Sequence, residues 1–259
     1  MKRLLTTIVV LSAILAFGSV AYAGTNTHSL TTSTGPNAKR TTSNFTAYGT
    51  AAVTVEAWVK TSTDNGTVMV VNVNDGGTST FQIIKIAAAN AYRFSLNDAV
   101  SSSDIAEASI ETGAWVHIAG TYDGSNVRIY LNGVQQGSDV AFSSNIRTDS
   151  PTRLGIGVRS TGADLPFQGE IDDVRVWNIA RSAAQITADK SNCDLSTTAT
   201  GLRGWWKMDN ANSDSQTNIT ANDLVNVGTP SFTTDPAFAC AAATTPTPIL
   251  SLVKAFWIF

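Results

Sequence analysis

Three carboxylates lie within four residues of one another at Glu170, Asp172 and Asp173, in the run from Gly169 to Trp177 that reads G-E-I-D-D-V-R-V-W. If that run is a strand, its two-residue period places Glu170 and Asp172 on one face and Asp173 on the opposite one. Carboxylates flanking a glycosidic bond are the chemistry of glycoside hydrolysis, one serving as nucleophile and another as proton donor. Position 174, the next on that face, is Val174.

A second chemistry is stacking. Trp58 falls opposite Val55 and Val59 in V-T-V-E-A-W-V-K, Trp115 and His117 alternate with Val116 and Ile118, and Tyr130 alternates with Ile129. Trp58, Trp115 and Tyr130 are therefore candidates for an aromatic platform whose rings meet the flat C–H faces of sugars. The competing reading is that loops fold over these rings, and for Trp177 and Trp205 burial is the expectation. His117 has no Ser or Cys that sequence places beside it, and is read as hydrogen-bonded structure. Cys193 and Cys240 are the two cysteines, and pairing them is the simplest assignment; two buried free thiols are the alternative. The two cysteines and two histidines show no metal-ligand spacing.

These side chains need strands to hold them, and the alternation supplies several. Trp115 to Gly133 is a hairpin, with Asp123-Gly124 at its turn and Asn132-Gly133 at its end. Val53 to Val59 reads as a half-buried strand, and Thr67–Val73, Phe81–Ile86 and Tyr92–Leu96 follow between turn residues. Leu202–Met208 and roughly 223–232 are two more strands. Ser182 followed by Gln185 is a capping box, so a short connector helix is expected up to Lys190. Strands at this spacing with no long helical period point to an all-β sandwich.

Lys2 and Arg3, an apolar run from Ile8 to Phe17 and Ala21-Tyr-Ala23 read as a secretory signal over residues 1–23. The apolar run is too short to span a bilayer. The formal charge is −3, no run of Lys or Arg follows position 40, and nucleic acid is not an expected partner. Residues 241–248 form an Ala/Thr/Pro linker and residues 249–259 a short apolar tail. The tail is read as a sorting element, a truncated end or a peptide for self-association.

Four segments, Val53–Lys60, Trp115–Gly133, Gly169–Ser182 and Gly201–Asp209, together resemble the laminin-G-like domains of the concanavalin A-like lectin/glucanase superfamily. The resemblance implies an all-β, two-sheet antiparallel jelly-roll sandwich over residues 24–240, with a role in adhesion or glycan binding. It also implies a calcium ion at the rim. Asp172 matches the acidic residue of the family's I-D-D/E-V-R motif and Asp173 is its neighbour, whereas the usual N-terminal acidic turn is replaced by Thr32 to Asn37. The rival reading of Asp172 pairs it with Arg175 or has it accept backbone hydrogen bonds at the strand's edge. Glucanases of the superfamily carry E-x-D-x-E, which E-I-D-D-V does not complete. The expectation is a secreted or cell-surface binding module for glycan or an extracellular protein, without catalysis; a glucanase-type hydrolase and a self-assembling surface protein are the alternatives.

Overall fold

The computed structural model describes residues 26–240 apart from 33–37, 42–44, 46–49, 62–65, 74–77, 87–89, 98–101, 110–112, 147–151, 159–165, 196–198 and 210–222. Gly24–Cys240 forms one compact unit. The expectations for residues 1–23 and 241–259 (signal, linker and self-associating tail) lie outside the described residues. No helix among those described is long and apolar enough to cross a membrane.

The described residues form fifteen strands and one helix. In order these are β1 (Ser29–Thr32), β2 (Ala38–Thr41), β3 (Val53–Thr61), β4 (Gly66–Val73), β5 (Thr78–Ile86), β6 (Ala91–Asn97), β7 (Ser102–Ser109), β8 (Val116–Tyr122), β9 (Asn126–Leu131) and β10 (Val134–Ala141). There follow β11 (Thr152–Ile156), β12 (Gly169–Trp177), α1 (Ala183–Asp189), β13 (Leu202–Trp206), β14 (Leu224–Val227) and β15 (Ser231–Thr233). One antiparallel sheet runs β10-β9-β8-β3-β12-β1-β15, with β13 also on β12; the other runs β14-β2-β11-β4-β5-β6-β7. This is the two-sheet jelly-roll sandwich that the alternation and the resemblance predict.

Apolar residues at every second position drive the two sheets together. Val53, Val55, Ala57 and Val59 of β3, Ile118 of β8 and Ile171, Val174 and Val176 of β12 meet Phe81, Ile83, Phe94 and Leu96 of the other sheet in one core. The sheets come so close at Gly120 that a Cβ there would lie 2.2 Å from the Phe94 ring. Each of the buried Val, Ile, Leu and Phe side chains contributes about 1.5–3 kcal/mol over exposure.

Local turn chemistry sets the register. Asp123 Oδ1 accepts from the Ser125 and Asn126 N–H groups at 2.9 and 2.8 Å, which closes the β8–β9 turn. Asn132 (φ 52°) and Gly133 (φ 87°) form a two-residue turn from β9 into β10. The capping box of α1 is present in both directions, Ser182 to Gln185 and back. The run 223–232, expected as one strand, is two: β14 ends at Val227 and β15 starts at Ser231, and the two lie in different sheets.

Along one edge of β12 two strands abut end to end. β1 pairs with Gly169–Ile171 and β13 with the part from Val174 to Trp177. Asp172 and Asp173 sit at the junction. The β12–β3 register shifts there, since Asp172 faces Trp58 and Arg175 faces Glu56, leaving Asp173 and Val174 against Ala57 alone. Asp173 takes φ 49°. This is a β-bulge, and it corrects the expectation that Asp173 points away from Asp172: the extra residue resets the alternation.

Candidate functional site

The outer face of the β3–β12 sheet carries its side chains in rows across the strands. Pairing register sets Ser231, Thr31, Glu170 and Lys60 in one row, with Trp115 next along, just before β8. The next row holds Asp172, Trp58 and His117, and the third Trp205, Arg175, Glu56, Ala119 and Tyr130. The second and third rows are buried. Ile186 of α1 packs on Ala119 and Tyr130. Phe238 lies 5.6 Å from the Trp58 ring, and the Trp58 indole N–H donates to the Lys190 carbonyl at 2.6 Å. The Cys193–Cys240 disulfide, the pairing expected from sequence, joins the chain after α1 to the end of this covering segment.

Under α1 the covered rows hold charge. Arg181 reaches Glu56 at 2.8 Å and also pairs with Asp189, and the Trp177 indole N–H donates to Glu56. His117 Nε2 lies 3.4 Å from Glu56 Oε2. Burial raises the Glu56 carboxyl, but His117, Arg181 and Arg175 outweigh it and hold the pKa at about 2. Burial pushes the His117 imidazole below its ordinary value, so it is neutral at pH 7. Arg175 donates to the Asp189 and Asn192 carbonyls at 2.7 and 3.0 Å, tying β12 to the end of α1.

The two aspartates at the bulge differ. Asp173 Oδ1 accepts from the Trp205 indole N–H, and Oδ2 has no hydrogen-bond partner but lies in an ion pair with Arg175. Asp172 Oδ2 accepts from Asn26 Nδ2 at 3.1 Å and the Ala237 N–H at 2.9 Å, while Oδ1 is buried without a hydrogen-bond partner. Burial first, then the Asp173 charge, raises the Asp172 carboxyl well above the usual range. Asn26 Oδ1 and Asp209 Oδ2 are likewise buried and unpartnered, and Asp209 Oδ1 accepts from the His28 N–H at 3.0 Å. Among the described residues no group of three or more His, Cys, Asp or Glu is arranged to hold a metal ion by those side chains alone.

Among the described residues nothing covers the first row. A cavity of about 220 Å³ is lined by Thr31, Thr32, Lys60, Thr61, Gly169 and Glu170. Lys60 Nζ reaches Asp235 at 2.6 Å and Glu170 at 3.4 Å, and lies 5.9 Å from the half-buried Trp115 ring. The Asp235 hydrogen bond raises the Lys60 pKa above its ordinary value. Glu170 Oε2 accepts from Ser29 and Thr233 hydroxyls at 3.1 and 3.3 Å. The Thr31 hydroxyl and the Trp115 indole nitrogen are buried atoms without a partner.

This sandwich, with its I-D-D-V-R bulge between β1 and β13, matches one family. The laminin-G model of the concanavalin A-like lectin/glucanases superfamily aligns with residues 31–187. The chain belongs to this family. Among curated proteins, mouse pappalysin-1 is 29% identical over 86 residues, which are 33% of this chain and 5% of that protein. The chain thus spans a small fraction of its curated relative. Among solved structures, a Bacteroides ovatus protein assigned to carbohydrate binding superposes with TM-score 0.61 at 19% identity, over 85% of this chain and 62% of that one. A heptameric SAP-like pentraxin of Limulus polyphemus gives TM-score 0.58 at 16% identity, over 84% of this chain and 98% of that one. At such identities these structures share the fold.

In this laminin-G-like domain the sequence-predicted site residues part company. Alternation puts Trp58, Trp115 and Tyr130 on the outer face, as expected, but Trp58 and Tyr130 do not form an open platform: the C-terminal segment covers the first and α1 the second. Trp115 alone of the three remains half-exposed. Asp173, expected as a calcium ligand beside Asp172, pairs with Arg175 and Trp205, so Arg175 is not the partner of Asp172; the other form of the rival reading, a backbone hydrogen bond to Asp172, is present from the Ala237 N–H at 2.9 Å. Sequence reasoning missed Thr31, Asn26 and Asp209. Asp209 closes the G-L-R-G-W-W-K-M-D segment and was within reach; nothing local marks Thr31 or Asn26.

Proposed function

We propose that this laminin-G-like domain is an extracellular, non-catalytic module that binds glycan at the open first row of its outer face. One observation carries the reading. Among the described residues, the part of that face without a cover combines a sugar-sized cavity, a half-buried tryptophan beside it, and hydroxyl, ammonium and carboxylate groups with unused hydrogen-bonding capacity. The fold similarity to a protein assigned to carbohydrate binding supports it. The disulfide supports an oxidising, extracellular compartment.

The non-catalytic reading now rests on a different argument from strand alternation. The bulge brings Glu170, Asp172 and Asp173 to one face, but Asp172 and Asp173 are buried beneath Ala237 and Trp205, where no glycosidic oxygen can reach them. Glu170 is held from three sides by Ser29, Thr233 and Lys60. A test is direct: the full chain incubated with β-glucans should release no reducing ends, and release that vanishes in Glu170→Gln would overturn the reading.

Calcium belongs to the same proposal as a structural ion. The residues that fit it are Asn26, Asp172 and Asp209, each with a buried oxygen lacking a partner, and such hard oxygens are what calcium takes. Bound, the ion supplies positive charge that keeps Asp172 ionised. Asn26 precedes β1, Asp209 follows β13 and Asp172 lies in β12, so these three residues would fasten both abutting strand ends to the strand they share. A glycan array decides the main proposal: binding that falls in Trp115→Ala while the protein stays folded with a melting temperature within a few degrees of wild type supports it, and an array blank for the wild-type chain sinks it.

A further inference from the structure

Building on the glycan reading, we infer that the rim cavity takes one uncharged sugar ring and discriminates against anionic sugars such as uronates. The charge count comes first. The ammonium on the cavity's lining, Lys60, is shared by two carboxylates, Asp235 at 2.6 Å and Glu170 at 3.4 Å, so at the mouth of the cavity this cation is already paired. A uronate carboxylate entering it would meet two like charges and a cation already neutralised, and like-charge juxtaposition of this kind is a device of specificity.

The hydrogen-bond inventory points the same way. Glu170 accepts from Ser29, Thr233 and Lys60, which uses three of the roughly four acceptor sites of a carboxylate. Lys60 uses two of its three donors on Asp235 and Glu170. The Thr31 hydroxyl, which can donate and accept, is unpartnered. One spare acceptor, one spare donor and one ambivalent hydroxyl suit sugar hydroxyls, which both give and take protons. A carboxylate only accepts, and leaves the spare capacity of Glu170 unmet.

Size limits the ligand to one ring. The cavity, about 220 Å³, is smaller than the roughly 300–1,000 Å³ of sites that enclose drug-sized molecules. Further along the same face a chain of sugars would meet the covered rows, where Phe238 and Ala237 occupy the space over Trp58 and Asp172. Trp115, next to Lys60 in the row, lies outside the cavity's lining, with its ring 5.9 Å from the Lys60 ammonium.

The test titrates the full chain by calorimetry with paired ligands: methyl glucoside against methyl glucuronide, methyl galactoside against methyl galacturonide, and oligomers of the neutral sugar that binds. The neutral partner is expected to bind about tenfold or more tightly than its uronate, and added rings to tighten binding by less than about threefold. Thr31→Val and Glu170→Gln should each weaken the neutral sugar about tenfold without moving the melting temperature, and Asp235→Asn should narrow the neutral-to-uronate gap to under about threefold. A uronate bound as tightly as its neutral partner, or affinity that climbs tenfold with each added ring, overturns this inference and leaves the glycan reading standing. No binding by sugars of either charge, or binding indifferent to Thr31→Val and Glu170→Gln, overturns the glycan reading at this cavity.

Discussion

Two regions of one sheet face, built by the same strands in the same alternation, have opposite fates. Glu56, Trp58, His117 and Tyr130 lie under α1 and the segment ending at Cys240, while Thr31, Glu170, Lys60 and Trp115, one row further out, meet solvent. Strand period decides which face a side chain takes, but the chain that folds over the face decides whether it can bind anything. Burial then changes the chemistry available: carboxylates in the covered region serve as partners for arginines and indoles, and those at the rim keep acceptor sites for a ligand.

The contrast breaks most visibly at Glu56. Replacing it with alanine leaves the Arg181 guanidinium and the Trp177 indole without their buried acceptor, and about 3–5 kcal/mol of stability should be lost in denaturant unfolding. Trp58→Ala should cost a similar about 3–5 kcal/mol, as a buried ring removed from beneath Phe238. If either variant keeps wild-type stability, the covered region is not the packed layer described here.

Next comes the cover itself. Replacing both Cys193 and Cys240 with serine should lower stability by about 2–4 kcal/mol. It should also raise acrylamide quenching of tryptophan fluorescence as Trp58 becomes accessible; unchanged quenching would mean the cover holds without the bond.

Calcium offers a test at the boundary between the regions, with a definite pH sign. The folded-state pKa of Asp172 is raised, so above the ordinary carboxylate value the folded protein retains a proton that the unfolded chain has lost. This group therefore destabilises the metal-free protein progressively as pH rises toward its raised pKa. Calcium takes the deprotonated form, so the melting shift between calcium and chelator should grow from pH 5 to pH 8, amounting to about 1–3 kcal/mol at saturating metal. Asp172→Asn and Asp209→Asn should each abolish the shift, whereas Asp173→Asn, if it folds, should keep it. No shift at any pH removes calcium from the proposal.

The smallest effect on stability is expected at the rim. Trp115→Ala should cost under about 1 kcal/mol, because the ring is half-exposed, yet weaken sugar binding severalfold. A large loss of stability with unchanged binding would move Trp115 into the covered class.

Much of the sandwich was legible because hydrophobic alternation and turn residues agree: β3, the β8–β9 hairpin, β12 and the capped α1 stand where those signals are clean. β10 was missed because V-Q-Q-G-S-D-V-A is a half-exposed strand on the sheet edge and has no apolar period to read. β7, S-S-D-I-A-E-A-S, at the end of the other sheet's strand order, has no clear apolar period either. The bulge was within reach: Ile171, Val174 and Val176 are spaced by three and then two, and that change of step is the mark of an inserted residue. The cover was not, because Phe238 meets Trp58 across 180 positions of sequence and only the folded chain brings them together.

The disulfide also determines how the domain bears load. β13, β14 and β15 all lie inside the loop it closes, 47 residues from Cys193 to Cys240. Tension on the chain beyond Cys240 therefore passes across the sulfur bridge to Cys193 and α1 and bypasses those three strands. Reduction moves the force onto β15 and frees slack of roughly 160 Å at full extension, turning a stiff mechanical connection into a compliant one.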